Sequence, residues 1–287
     1  MADYRGKPTI RKRLMGGRLR RLREAAGISF DDVAKQLDVS AATIRRQESG
    51  ESGVSVADAR AYAHIYGVKD PVVISSLTDL AKHGRVRGWW SAYDATVGPS
   101  AADFADAEDL ATGIRTWQPL SIPGLLQTRD YSEAVIGVRR GLFGEPEEET
   151  AAENLEMRER RKLILQRENP PQIWAIIGEA AILTEVGSKG VMDGQLRHLL
   201  DLSEHQHLSI QILPFSAGAH AGMGGSFVVM SFDVTMEGSL LYIETAGAFN
   251  DEPEEARKRL DRFAHLQAQA LPIVESRRYL LGAISAK

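Results

Sequence analysis

Ile28-Ser29-Phe30-Asp31-Asp32-Val33-Ala34-Lys35-Gln36-Leu37-Asp38-Val39-Ser40-Ala41-Ala42-Thr43-Ile44-Arg45-Arg46-Gln47-Glu48-Ser49-Gly50 is the stretch on which the reading of this 287-residue chain turns. Ser29 opens a helix in a capping arrangement with Asp32, and Val33, Ala34 and Leu37 recur at the spacing of one buried face. The pattern breaks at Asp38 and Val39. Ser40 then caps a second short helix that carries Ile44 and stops at Gly50. Two helices crossing this closely need a small residue where they touch, which Ala34 supplies. Val33, Leu37, Val39 and Ile44 are the expected apolar anchors. Asp38 stands in the tight turn, and Asp tolerates the left-handed conformation better than most residues.

Further helices are predicted on both sides. One runs from about Arg11 to Ala26 with Leu14, Leu19, Leu22 and Ala26 on one side, and Gly27 ends it. Ser55 caps another through Ala59, Tyr62 and Ile65, closed by Gly67. Asp70-Pro71 is an N-cap and first-turn pair for a fifth helix reaching Lys82.

A crossed pair of this kind is a helix-turn-helix, whose second helix offers its first turn and outer face to the major groove of DNA. The positions expected outside are Ser40, Ala41, Ala42, Thr43, Arg45 and Arg46. An arginine there can pair bidentately with guanine, and small residues can pack on a thymine methyl. The stretch resembles the lambda-repressor-like (xenobiotic-response-element) family, whose pattern is Leu-Thr-Gln-x-x-Leu-Ala-x-x-Leu-Gly-Val-Ser followed by Thr-Ile-Ser-Arg-x-Glu-x-Gly. Three positions depart from it. Phe30 replaces a glutamine that often contacts DNA, Asp38 replaces the turn glycine, and Gln47 replaces an apolar residue, leaving looser packing or another polar contact there. The resemblance implies that Glu48 pairs with an arginine of the first helix. The DNA-contacting set expected from residues and resemblance together is Arg11, Arg13, Arg18, Ser29, Phe30, Ser40, Ala41, Ala42, Thr43, Arg45, Arg46 and Ser49. The basic arm Arg5–Arg13 is expected either to enter the minor groove or to act through charge alone.

Charge is distributed to match. Residues 1–70 hold 14 Lys/Arg against 9 Asp/Glu, whereas the remainder holds 21 against 30. The chain as a whole carries only −4. A basic head on an acidic body suits a DNA-contacting end and a body that avoids phosphate. With no cysteine there is no disulfide framework, thiolate metal site or cysteine nucleophile. No apolar run is long enough to span a membrane, and the N-terminal residues lack the apolar core of a signal peptide. A cytoplasmic location, nucleoid-associated when bound to DNA, is the expectation.

Three segments are predicted: residues 1–83 as the all-α DNA-binding head with its arm, 84–100 as a linker holding Gly-Trp-Trp and Gly-Pro, and 101–287 as an α+β body with an antiparallel or mixed sheet. Strands are expected at Gly113–Gln118, Gln172–Gly178, Leu208–Leu213, Gly225–Phe232 and Leu240–Thr245. Helices are expected at Ala101–Leu110, Arg129–Arg139, Glu148–Arg167, Glu179–Glu185, Val191–His205, Glu254–Gln269 and Ile273–Leu280. The motifs Ile122-Pro123-Gly124-Leu125-Leu126-Gln127-Thr128, Arg158-x-x-Arg161, Gly178-Glu179-Ala180-Ala181-Ile182-Leu183, Gln195-Leu196-Arg197-His198-Leu199 and Leu213-Pro214-Phe215-x-x-Gly218-Ala219-His220 give this body a resemblance. It is similar to a module that follows such heads in actinobacterial regulators and is described as Scr-type antitoxin-like. That resemblance implies a transcription factor with a small partner protein encoded nearby.

Within the body, Glu179 is a candidate buried carboxylate with Arg158 or Arg161 as natural partners, or alternatively a ligand-holding group. Phe215, His220 and Met223 in the loop Pro214–Gly225 are candidates for partner or effector contact, together with the Pro123–Thr128 turn. The competing reading is a loop that closes over the body's own core. His205, His207, His220 and Glu179 lack diagnostic metal-ligand spacing, and no nucleophile elbow or phosphate cradle is present. The expectation is therefore a dimeric transcriptional regulator that binds double-stranded DNA, without catalysis, metal, cofactor or membrane. The alternative is an antitoxin-like protein that mainly binds a small partner and autoregulates its operon. A third reading is a small-molecule sensor.

Overall fold

A computed structural model describes residues 8–83, 88–93, 99–143, 148–232, 239–243, 248–250 and 252–285. Two compact units emerge, residues 1–92 with 101–107, and residues 93–100 with 108–287.

The first unit is helical. α1 (Ile10–Ala26) starts at Thr9, whose hydroxyl accepts the Lys12 N–H, and Gly27 closes it in the left-handed conformation at φ 66°. α2 (Phe30–Leu37) has Ser29 as its N-cap, bonded to the Asp32 N–H. α3 (Ala41–Glu48) and α4 (Val56–Ile65) are capped by Ser40 and Ser55, the latter in a full capping box with Asp58. α5 (Pro71–His83) has its proline at the first helical position, with the Asp70 carboxylate accepting the Val72 N–H at 2.8 Å. Each start therefore lies where a short side-chain oxygen can satisfy a backbone donor that the helix leaves unpaired.

Leu19, Val33, Ala34, Ile44, Ala59, Tyr62 and Leu77 make the core of this unit. Val39, expected among the anchors, is 41% exposed. The turn reverses the chain before Val39 can reach the core, and Ala41 packs there instead. Asp38 does take the left-handed conformation, φ 54° and ψ 46°, and is the one non-glycine residue with positive φ among those described. Gly16 allows α1 to cross the end of α3, because a Cβ there would stand 2.5 Å from the Glu48 carbonyl oxygen.

Parts of the stretch expected as a linker are described. Trp89–Tyr93 form a 3₁₀ turn in which Trp90 is buried, and Pro99 starts α6 (Pro99–Leu110). Residues 101–107 group with the helical unit. There Ala102, Ala105 and Ala107 are buried, and Asp106 takes the Arg11 guanidinium at 2.8 Å. Residues 84–87 and 94–98 lie outside the described residues.

The second unit carries a six-stranded mixed sheet in the order β3-β2-β1-β4-β5-β6. Its strands are β1 (Gly113–Gln118), β2 (Gln172–Gly178), β3 (Leu208–Leu213), β4 (Phe227–Ser231), β5 (Leu240–Ile243) and β6 (Ala248–Asn250). β1, β2 and β3 pair in parallel, from Gly113↔Gln172 and Ile173↔Leu208. β4, β5 and β6 continue antiparallel. Parallel pairing needs long crossovers. Those supplied are α7 (Arg129–Phe143) with α8 (Glu148–Arg161), then α9 (Glu179–Leu183) with α10 (Lys189–Leu202).

The helix expected to run to Arg167 ends at Arg161 and tightens into a 3₁₀ turn, Lys162–Gln166. β6 escaped the sequence pattern because three residues show no alternation. Thr245, expected at the end of β5, lies outside the described residues. One sheet face, with Trp117, Ile176, Phe227 and Leu241, packs against Phe263 and Leu266 of α11 (Pro253–Gln269). Side chains of this size stabilise by about 1.5–3 kcal/mol each on full burial. α12 (Ile273–Ser285) is the last of the described helices.

Candidate nucleic-acid interface

α3 divides cleanly by its own periodicity. Ile44, Gln47 and Glu48 are buried, Ala41 and Thr43 are half-buried, and Ala42, Arg45, Arg46 and Ser49 are exposed. Ser40 is exposed but occupied. Its hydroxyl accepts the Thr43 N–H at 3.1 Å and lies 2.9 Å from the Thr43 hydroxyl.

The buried side of α3 is held by two polar contacts. Glu48 receives Arg23 of α1 bidentately, Nε at 2.7 Å and Nη2 at 3.0 Å. Hydrogen bonding to Glu48 raises the Arg23 guanidinium above its ordinary value, which keeps it charged. Gln47 accepts the Tyr62 hydroxyl from α4. Of the two roles open to Gln47, the structure shows the polar contact, made inside the unit. Burial pushes the Tyr62 and Tyr66 phenols up, which keeps both protonated.

On the exposed side, Arg46 lies 3.7 Å from Glu51, and the Ser49 hydroxyl donates to the Arg46 carbonyl at 3.2 Å. The Arg45 guanidinium lies over the Phe30 ring at 4.9 Å from its centre, and Arg23 lies over the same ring at 4.0 Å. Ser29 is spent on its own cap, donating to the Asp32 carboxylate at 2.6 Å.

The structure does not bring the whole expected set to this face. Arg11 is buried in its ion pair with Asp106, and its guanidinium lies over the Trp90 ring at 5.3 Å. Arg18 donates to the Ser76 hydroxyl of α5 at 2.6 Å. Arg13 is half-buried, with its backbone close to Gly50. Helical periodicity cannot separate an arginine facing solvent from one turned onto a later helix. Arg5 and Lys7 of the arm lie outside the described residues.

Glu179 in the second unit pairs with neither Arg158 nor Arg161. Its carboxylate accepts the Phe215 N–H at 2.5 Å and the Tyr279 hydroxyl at 2.6 Å, tying the loop to α12. Arg161 instead meets Glu108 bidentately at 2.6 and 2.8 Å, and Arg158 donates to Asn154 and Gln127.

His220 faces inward. Its ring stands edge-on to Trp117, its Nδ1 accepts the Gly222 N–H at 3.1 Å, and Trp117 donates to the Gly222 carbonyl at 2.9 Å. Phe215 and Met223 remain 65% and 74% exposed. The Pro123–Thr128 turn is locked rather than open. Leu125, Leu126 and Gln127 are buried, and the fully buried Gln195 bonds the Leu126 carbonyl and the Thr128 N–H at 2.7 Å each. Among the described residues, no group of three or more His, Asp or Glu side chains could hold a metal ion. Nor is any described helix long and apolar enough to cross a membrane.

The capped α2–α3 pair, with its left-handed turn and outward arginines, is that of a helix-turn-helix protein, and residues 14–77 match a helix-turn-helix domain. Residues 101–282, more than half of the chain, match the domain of unknown function DUF5753, and the protein belongs to that family. No curated protein and no solved structure matches the chain.

Proposed function

We propose that the protein is a sequence-specific transcriptional regulator of the lambda-repressor-like kind, binding double-stranded DNA as a homodimer with α3 in the major groove. The observation that carries this reading is the exposed face of α3, where Arg45 and Arg46 flank the small residue Ala42 while Glu48 anchors the opposite face to α1. That arrangement leaves two guanidinium groups for base edges and phosphates on a helix held in a fixed orientation. One such helix reads few base pairs, and two-fold pairing on a palindrome doubles them.

The test is selection of bound duplexes from a random library with the purified full chain. A two-fold symmetric motif is the expected result. Retention without any enriched sequence would refute specific readout. Control enters through the C-terminal domain in this proposal. Exposed Phe215 and Met223 favour, as a second reading, an antitoxin-like use of that domain to dock a small partner protein. Replacing both by serine should then abolish partner recovery from the native cell while DNA binding survives.

A further inference from the structure

We infer that Phe30 is a positioning residue which presents Arg45 as a guanine-reading side chain, so that Arg45 rather than Arg46 decides base preference. The inference rests on the DNA-binding reading above and goes beyond it by assigning one base and the residue that aims at it.

The argument starts from the state of the two arginines. Arg46 is drawn toward Glu51, an acid that competes with any DNA acceptor for the same guanidinium. The Arg45 guanidinium makes no hydrogen bond or ion pair with the described residues and lies over the face of Phe30. A guanidinium lying over an aromatic face directs its N–H groups outward within its own plane, where a pair of acceptors can meet them. Guanine offers such a pair in the major groove, O6 and N7. A free arginine must freeze several torsions to make that fork. One already laid on a ring has fewer to lose.

Phe30 is itself fixed. It sits at the start of α2 and packs on the core of the first unit, and Arg23 lies over the same ring. The charge of Arg23 is neutralised by the bidentate Glu48, so the ring is left to attract Arg45 as its uncompensated cation. Arg45 also follows Ala41 by four residues and Ala42 by three, so nothing bulky on its own helix face stands between it and a duplex.

Library selection with the wild type, Arg45→Ala, Arg46→Ala, Phe30→Leu and Phe30→Tyr tests the assignment, with thermal melts confirming that each variant is folded. Arg45→Ala should erase a guanine preference at one position of each half-site, a change of about 5- to 150-fold. Phe30→Leu keeps apolar bulk but has no ring face, and should weaken the preference at that same position by about two- to five-fold. Phe30→Tyr should retain it, and Arg46→Ala should lower affinity while the motif survives. A folded Arg45→Ala variant that keeps the wild-type motif overturns the inference and leaves DNA binding standing. A Phe30→Leu motif identical to the wild type overturns the positioning role. Absence of any motif from the wild type overturns the underlying reading as well.

Discussion

Replacing Glu48 with alanine removes the acid that ties α3 to α1, and the consequence can be worked from the geometry. Its two oxygens accept from Arg23 at 2.7 and 3.0 Å, and the two side chains are 4% and 10% exposed. Removing one member of a buried pair costs about 3–5 kcal/mol, because the other charge is left without compensation. Arg23 keeps the Ile28 carbonyl at 3.2 Å and a distant Glu24 at 3.7 Å, which places the loss near the lower end, about 3 kcal/mol. Arg23 is raised above its ordinary value in the folded state. The stability it contributes is therefore complete at neutral pH and is lost only as pH rises into the strongly alkaline range.

Hydrogen exchange on the full chain isolates the effect. Amides of α1 to α4 should lose protection by about 150-fold, the equivalent of 3 kcal/mol, while those of β2 and α10 stay unchanged. A double variant, Arg23→Leu with Glu48→Leu, should recover most of the loss, since apolar replacement of both partners removes the stranded charge. Protection reduced by less than about five-fold in Glu48→Ala would show that the pair is not what holds α3.

Three further outcomes follow from separate features. Gly16→Ala should destabilise the first unit because its Cβ meets the Glu48 carbonyl at 2.5 Å. Gly17→Ala, whose nearest neighbour is Arg21 Nη1 at 3.6 Å, should be neutral or gain up to about 1 kcal/mol; equal melting shifts would refute the close-crossing argument. Asp38→Gly should stabilise by about 0.5–1 kcal/mol in denaturant titration, since relief of the left-handed conformation at φ 54° exceeds the added freedom of the unfolded chain, and a loss would contradict it. Burial first, and Lys162 second, push the His198 imidazole below its ordinary value. The unfolded chain then takes up the proton more readily, so stability present at neutral pH falls as pH drops below about 6.5. His198→Gln should flatten that slope in melts of the full chain between pH 7 and 5, and an unchanged slope would assign it to other groups.

Local chemistry was legible from the sequence by itself. Caps at Ser29, Ser40 and Ser55, the glycine stop at 27, the left-handed tolerance of Asp38 and the 3.6-residue spacing of Val33, Ala34 and Leu37 all act within one turn of chain. They placed the helical head and its α3, and five of the six described strands were also expected from the sequence. Apart from Glu48, for which the family resemblance implied an arginine of the first helix, the partners of charged side chains were not legible. Arg11 and Arg45 look alike in a basic sequence, yet one is buried against Asp106, 95 residues away, and the other lies exposed on Phe30. Glu179 drew Tyr279, 100 residues away, rather than an arginine of α8, and His220 turned in toward Trp117. Such choices depend on which distant surfaces meet once the sheet and helices pack. A charge records only that some partner or solvent is required, and tertiary structure alone decides which.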